Sequence, residues 1–120
     1  MNVIIDVLIG LIALFHIYIL WLEMFAWTTR ARKVFRSIPH DLFEKTKVMA
    51  ANQGLYNGFL ASGLIWSLVI VDANWSQHVA VFFLSCVAIA GIYGGFTAAK
   101  KILIVQAAPA VLTLLLIWIT

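Results

Sequence analysis

The side chains best able to do chemistry lie inside stretches of sequence that are otherwise apolar. In the first stretch, His16 and Glu23 are seven residues apart, so a helix carries both on one face, two turns apart. Such a pair could act as general acid and base, or relay a proton. A carboxylate in an apolar layer should be protonated, paired or hydrated, and Arg30 or Arg32 could reach it by snorkelling. Glu23 is therefore the first candidate for a functional residue.

Uncharged polar residues continue this pattern in the other apolar stretches. At about 1.5 Å of helix rise per residue, they lie within roughly 10 Å of the end that adjoins basic residues, as Glu23 does. A common depth on several helices predicts one polar pocket in a single membrane leaflet. The predicted ligand-binding residues are Glu23, Asn52, Gln53, Tyr56, Asn57, Tyr93, Thr97 and Gln106. The alternative is a structural network, in which amides and tyrosines only hold the helices together.

The polar run of the second stretch consists of two pairs with helical spacing. Asn52 pairs with Tyr56 and Gln53 with Asn57, four residues apart in each case. We expect all four side chains to occupy one broad face of the helix, beside its glycines.

Neither a metal site nor a cofactor is predicted. His16 and Glu23 alone are too few ligands, since zinc takes three or four. The other histidines cannot easily join them, because His40 lies in a basic connector and His78 at the opposite membrane face. Cys86 is the single cysteine, so one chain has neither a disulfide framework nor a cysteine-based metal site.

The composition indicates an integral membrane protein. Of the 120 residues, 64% are hydrophobic and only 11% are charged, and the mean hydropathy is +1.04. A soluble domain of this length could not bury so much apolar side chain, and its surface would aggregate. This excludes a soluble enzyme, a disordered tail and a nucleic-acid-binding module.

Four apolar stretches predict an all-α bundle of four transmembrane helices in a single domain, 1–120. The helices are expected at about 3–27, 42–71, 79–99 and 102–119, because about 20 helical residues cross the hydrocarbon core. Pro109 should kink the fourth helix. The first stretch carries Asp6 and has no basic segment before it, so it is interpreted as a retained helix and not as a signal peptide.

The cytoplasmic connector, at about 28–41, is expected to lie along the membrane surface. Trp27 should anchor the first helix at the inner interface, and Phe35 and Phe43 should dip into that interface. Asp41 and Glu44 have the spacing of a capping box, which would begin the second helix. Trp75, in the loop before the third helix, should mark the outer interface.

Basic residues predict the orientation. All eight lie between the first and second helices or between the third and fourth: Arg30, Arg32, Lys33, Arg36, Lys45, Lys47, Lys100 and Lys101. The positive-inside rule then puts both connections in the cytoplasm and both termini outside. The net charge of +3 indicates attraction to anionic inner-leaflet lipid, and no nucleic-acid partner is expected.

Small residues recur every four positions on two helices. Gly54, Gly58 and Ser62 mark the second helix, and Gly91 and Gly95 the third. Small side chains allow the backbones of membrane helices to approach closely. The simplest prediction is that the two stripes hold these helices together, and the alternative is a homodimer formed through the Gly54/Gly58 or the Gly91/Gly95 stripe.

Several runs resemble a bacterial family of small integral membrane proteins, known only as domain of unknown function 1304. The resemblance covers essentially the whole chain, and its runs are Glu23–Trp27 (EMFAW), Ala51–Phe59 (ANQGLYNGF), Ala90–Thr97 (AGIYGGFT), and Gln106 with Pro109 and Ala110. It implies a four-helix inner-membrane protein and supplies no activity. It also makes Glu23, Asn52, Gln53, Tyr56 and Asn57 signature positions.

Three functions fit these residues. The first is binding or transport of a small polar or amphipathic molecule in the inner-leaflet pocket. The second is a membrane enzyme that acts on a lipid-like substrate with Glu23 and His16. The third is a structural or accessory subunit. Small multidrug transporters of opposed orientation share the length and a glutamate in the first helix. They need a weak basic bias, however, and here the bias is complete.

Overall fold

The computed structural model describes residues 1–120 and is helical, without strands. Its elements are α1 (Val3–Phe25), α2 (Ala31–Val34), α3 (Leu42–Lys45), α4 (Lys47–Val69), α5 (Ala73–Thr97), a π-helical segment (Leu103–Ala107) and α6 (Ala108–Ile119). The predicted all-α class is therefore confirmed.

Two of these helices, α1 and α5, are long and apolar enough to cross a membrane by length and composition. Leu103–Ile119 is an apolar segment of shorter length. Helix α4 has 23 residues, but its run of amides and glycines makes it less apolar than α1. The four-span arrangement thus stays a prediction.

Helix α5 begins at Ala73, six residues before the predicted start at 79. Asp72 has an extended backbone, and its side chain accepts a hydrogen bond of 2.9 Å from the main-chain N–H of Trp75. This is an N-cap, in which a side-chain oxygen satisfies a main-chain donor of the first helical turn. Trp75 therefore lies in the first turn of α5, not in a loop.

The predicted capping box at Asp41 and Glu44 is wrong. Asp41 precedes α3 with helical backbone angles, φ −74° and ψ −18°, and its side chain makes no capping hydrogen bond. A capping side chain needs an extended backbone to reach back to the first turn. Both carboxylates instead pair with lysines, Asp41 with Lys45 at 3.8 Å and Glu44 with Lys47 at 2.8 Å.

The π-helical segment ends two residues before Pro109, the residue at which the fourth helix is expected to kink. Proline has no N–H to donate to the carbonyl four residues before it, so the regular α-helical ladder cannot continue through that position. The wider π turn is a common way to accommodate such an interruption. Pro109 itself lies in the first turn of α6, where a missing donor costs little.

The chain forms two compact units, each described by itself. The first comprises Met1–Ala13 and Leu60–Thr120. Its core is a cluster of fully buried aliphatic side chains, including Ile9, Leu64 and Leu84. Close packing of these side chains provides dispersion contacts, which stabilise the unit whether its outer surface faces lipid or water.

Within this unit the glycine stripe of α5 faces the C-terminal segment, not α4. A Cβ atom added to Gly91 would lie 2.6 Å from the backbone nitrogen of Ala107, and one added to Gly95 would meet the side chain of Leu103. The predicted pairing of the Gly91/Gly95 stripe with the second helix is therefore wrong. The spacing identified a close-packed face correctly but assigned it the wrong neighbour.

The second unit is Leu14–Phe59 and contains the connector. Phe43 is 1% exposed and packs with Leu22 and Ala31 in a small separate core. The expectation that Phe43 dips into the membrane interface is thus wrong, because this ring is covered by protein. Trp27 contributes to the same core, with its ring centroid 5.1 Å from that of Phe43.

Polar contacts close this small core. The indole N–H of Trp27 donates a 3.0 Å hydrogen bond to the Thr46 hydroxyl, and Arg32 donates to the main-chain carbonyls of Thr28 and His40 at 2.6 and 2.7 Å. The guanidinium of Arg32 also lies 5.3 Å from the ring centroid of Phe43. The connector is therefore folded onto the end of α1.

Candidate functional site

Glu23 and Asn57 form a polar contact between α1 and α4. The Asn57 side-chain amide donates a hydrogen bond of 2.6 Å to Oε1 of Glu23, and the same nitrogen lies 3.2 Å from the main-chain carbonyl of Gln53. Glu23 and Asn57 are both half-buried. The residues are 34 positions apart in sequence, so the contact depends on the packing of the two helices.

Close approach of the two backbones brings these side chains together. A Cβ atom added to Gly54 would lie 2.6 Å from Cγ of Met24, 3.0 Å from Cβ of Glu23 and 3.2 Å from the carbonyl oxygen of Leu20. One added to Gly58 would lie 2.7 Å from Cδ1 of Leu20. Because glycine leaves this space open, the short asparagine side chain can reach the carboxylate.

This geometry corrects the predicted partner of the Gly54/Gly58 stripe, which is α1 and not the third helix. Ser62, the third member of the predicted stripe, is exposed. As with the glycines of α5, the spacing of small residues along one helix does not specify which helix packs against them.

The carboxylate of Glu23 has a neutral partner. Pairing with an arginine was the simpler expectation, but Arg32 is engaged by Thr28 and His40, and Arg30 is exposed. An amide can donate a hydrogen bond but carries no charge to balance a carboxylate. Asn57 binds Oε1, which leaves Oε2 for a second donor.

Two of the predicted site residues point away from this contact. Asn52 and Tyr56 are both exposed. The Asn52 amide donates to the Val48 carbonyl of its own helix at 2.9 Å, and Tyr56 packs against Phe59, with ring centroids 6.0 Å apart. Asn57 is therefore the residue of the polar run whose side chain contacts Glu23.

Helix geometry explains this division. At about 100° per residue, Asn57 lies roughly 60° from Gly54 around the helix, whereas Asn52 and Tyr56 each lie roughly 160° from it. Gln53 lies on the flank with an exposed side chain, and its main-chain carbonyl contributes to the contact.

His16 is fully buried at 1% exposure, and its ring meets Phe15 edge to face. Seven residues of helix separate it from Glu23, a rise of roughly 10 Å. Direct proton transfer needs heavy atoms within about 3 Å. His16 and Glu23 therefore do not form a directly bonded acid and base pair.

The remaining predicted residues belong to the other unit. Tyr93 is 71% exposed, and the Thr97 hydroxyl donates a 2.8 Å hydrogen bond to the Tyr93 carbonyl. Gln106 is half-buried within the π-helical segment. The structure thus joins Glu23, Asn57 and the Gln53 carbonyl, and a pocket shared with Tyr93, Thr97 and Gln106 stays a prediction.

Comparison with known proteins identifies the family. The model of the family described as "Protein of unknown function (DUF1304)" matches residues 10–118. The chain belongs to this family. The resemblance inferred from the sequence is confirmed, and membership extends over both units.

A bacterial relative is similar over nearly its full length. The uncharacterized protein YpaA of Lactococcus lactis subsp. lactis (strain IL1403) is 29% identical over 117 residues, which cover 96% of this chain and 97% of the relative. No solved structure matches the chain significantly. The family and this relative leave the function to be argued from the residues.

Sequence reasoning missed the folded connector as a structural feature. Trp27 is predicted at the membrane interface, and the structure adds that its indole bonds Thr46 and its ring packs on Phe43. The sequence does carry a signal for this small core. Several aromatic residues lie close to the basic ones in a short segment, and they are enough to form a core of their own.

Proposed function

We propose that this chain is a bacterial inner-membrane protein that binds a small polar or amphipathic molecule beside Glu23. Exposed apolar surface supports the membrane location. In the most apolar windows of α1 and α5 only 28% and 39% of the residues are buried. The core helix of a soluble protein would be mostly buried, whereas these helices present side chains such as Leu14, Phe82 and Ile89 outward.

Four spans with both termini outside complete the proposed topology. At about 1.5 Å per residue, the 23 residues of α4 extend roughly 34 Å, and Leu103–Ile119 roughly 26 Å. The basic residues cluster where α1 ends and α4 begins, and again between α5 and the C-terminal segment. The positive-inside rule places both clusters in the cytoplasm, which requires an even number of crossings between them.

The partner of Glu23 is the observation that carries the proposed binding function. A carboxylate within an apolar span is costly, and such residues usually have a functional partner. Asn57 holds Oε1 at 2.6 Å without balancing charge. A ligand that donates a hydrogen bond or carries a positive charge would complete the contact through Oε2, while its apolar part remains in the lipid-facing layer.

Retention of a small molecule tests this proposal. Protein purified in mild detergent is denatured, and the released small molecules are identified by mass spectrometry. The variants are Glu23→Gln and, as matched control, Glu44→Gln, which neutralises an exposed carboxylate on α3. We expect a molecule that the parent and Glu44→Gln release and Glu23→Gln does not. Identical profiles from all three proteins would contradict the proposal.

The other two functions have less support. An enzyme that uses Glu23 with His16 would need substrate or water to bridge roughly 10 Å of helix rise. A purely structural role would be favoured by a positive charge paired with Glu23. Of the two arginines expected to reach it, Arg32 is bonded within the connector and Arg30 is exposed.

A further inference from the structure

The basic residues in the segment 30–47 divide into two groups. Lys45 and Lys47 lie beside acidic residues and pair with Asp41 and Glu44. Arg30, Lys33 and Arg36 are exposed and recur at every third position along and beside α2. Asp41 and Glu44 are the acidic residues of this segment, and both are already paired with lysines. The second group, named the α2 ridge, therefore keeps its positive charge.

The small core of the connector fixes the ridge in place. Ala31, next to Arg30, is fully buried. Phe35 packs on Trp27 with ring centroids 5.5 Å apart. Arg36 donates from Nε to the Lys33 main-chain carbonyl at 3.2 Å. The charges therefore project from an ordered backbone, so binding to them loses less conformational entropy than binding to a flexible tail would.

Arg32 lies within the same segment but has a different role. It donates to main-chain carbonyls and lies over the Phe43 ring, so it stabilises the connector and does not belong to the ridge. Arg32 therefore points inward and stabilises the folded connector. Arg30 and Lys33 point outward, and their charges remain for a partner.

The position of the ridge indicates its partner. Helix α1 ends at Phe25, a 72% exposed apolar side chain, and Arg30 follows five residues later. If α1 spans the membrane, as the proposed function holds, the ridge lies at the depth of the inner-leaflet headgroups. We propose that Arg30, Lys33 and Arg36 form a binding site for the phosphate of anionic phospholipid headgroups. Arginine and lysine both bind phosphate, arginine with two parallel donors.

Lipid binding by matched variants tests the site. Protein in neutral detergent is titrated with phosphatidylglycerol or phosphatidylcholine, and bound lipid is counted by native mass spectrometry. Lys33→Gln/Arg36→Gln removes two ridge charges, and Lys45→Gln/Lys47→Gln removes two paired charges from the same segment, 30–47. We expect the ridge variant to bind phosphatidylglycerol roughly tenfold more weakly, since each basic group near the surface strengthens binding several-fold. The control variant should change less than about threefold.

Several outcomes would overturn the ridge as a site. These are an equal loss of phosphatidylglycerol affinity in both variants, no loss of that affinity in either variant, or equal binding of phosphatidylglycerol and phosphatidylcholine by the parent. Inorganic phosphate that competes as well as the lipid would indicate a site for free phosphate instead. Melting curves of each variant in detergent establish that it is folded, and single Lys33→Gln replaces the double variant if that one is not. Alkaline carbonate extraction tests separately whether the chain is integral to the membrane, so failure of the proposed location is distinguishable from failure of the ridge.

Discussion

The Asn57 amide and the Glu23 carboxylate are joined by a 2.6 Å hydrogen bond that the missing side chain of Gly54 permits. The contact is local to the second unit, and its geometry depends on α1 and α4 lying in backbone contact. Removal of the amide should therefore have a different effect from removal of the charge.

Asn57→Leu should destabilise the protein by about 1–3 kcal/mol, because the half-buried carboxylate loses its donor. Asn52→Leu is the matched control, since the Asn52 amide bonds only its own helix at Val48 and is exposed. Thermal unfolding in detergent measures both. Equal melting temperatures for the two variants would mean that the Asn57 contact contributes nothing to stability.

Gly91→Ala should destabilise by about 1–3 kcal/mol, because its methyl group would meet the backbone of Ala107. Gly10→Ala is the control. Nothing lies within 4 Å of a Cβ at Gly10, and alanine is the better helix former. We expect the control to melt at or above the temperature of the parent. If Gly91→Ala has the same melting temperature as Gly10→Ala, the close approach of α5 to the C-terminal segment is absent.

Topology can be read by labelling in a Cys86→Ala background. Ser37 and Gln77 are exposed, whereas Ser76 is buried and donates to the Ser67 carbonyl, so cysteine is placed at 37 and 77. A membrane-impermeant maleimide should label Gln77→Cys on intact cells and Ser37→Cys only after permeabilisation. Labelling of both positions from one side would rule out the proposed orientation.

The hydrogen bond from Lys47 lowers the pKa of Glu44, with the lysine charge and the nearby Arg32 adding to the effect. Because the folded pKa is depressed, this pairing favours the folded state above the ordinary glutamate pKa and is lost as pH falls through the lowered value. Lys47→Gln should return the Glu44 pKa towards its ordinary value in an NMR titration. An unchanged pKa would show that the ion pair does not persist in solution.

The length and continuity of the apolar stretches predict the helical class, since α1 and α5 stand out by composition alone. The start of α5 is harder to predict from the sequence. A capping box has glutamate or glutamine three residues after the N-cap, and Asp72 has Trp75 there, so it resembles a loop residue. Asp41 has the acidic residue three positions on but helical backbone angles, so its motif was misleading.

At the site, Glu23 could be predicted because a carboxylate in an apolar stretch is exceptional. Its partner Asn57 could be chosen among four polar residues only once the contacting face of α4 was known. Gly54 and Gly58 define that face, and applying helix geometry to them would have excluded Asn52 and Tyr56. Which helix meets the glycines depends on tertiary packing, which one sequence does not specify.

The most direct test of the central claim is the behaviour of Glu23→Gln, which keeps the shape of the side chain and removes its charge. Thermal unfolding and release of bound small molecules are measured on the same preparation. If Glu23 serves a ligand, the melting temperature should stay the same or rise while the bound molecule is lost, since polar residues kept for function often reduce stability. A clear fall in melting temperature, with the parent's bound molecule still present in the folded fraction, would show that Glu23 is structural and contradict the proposed site.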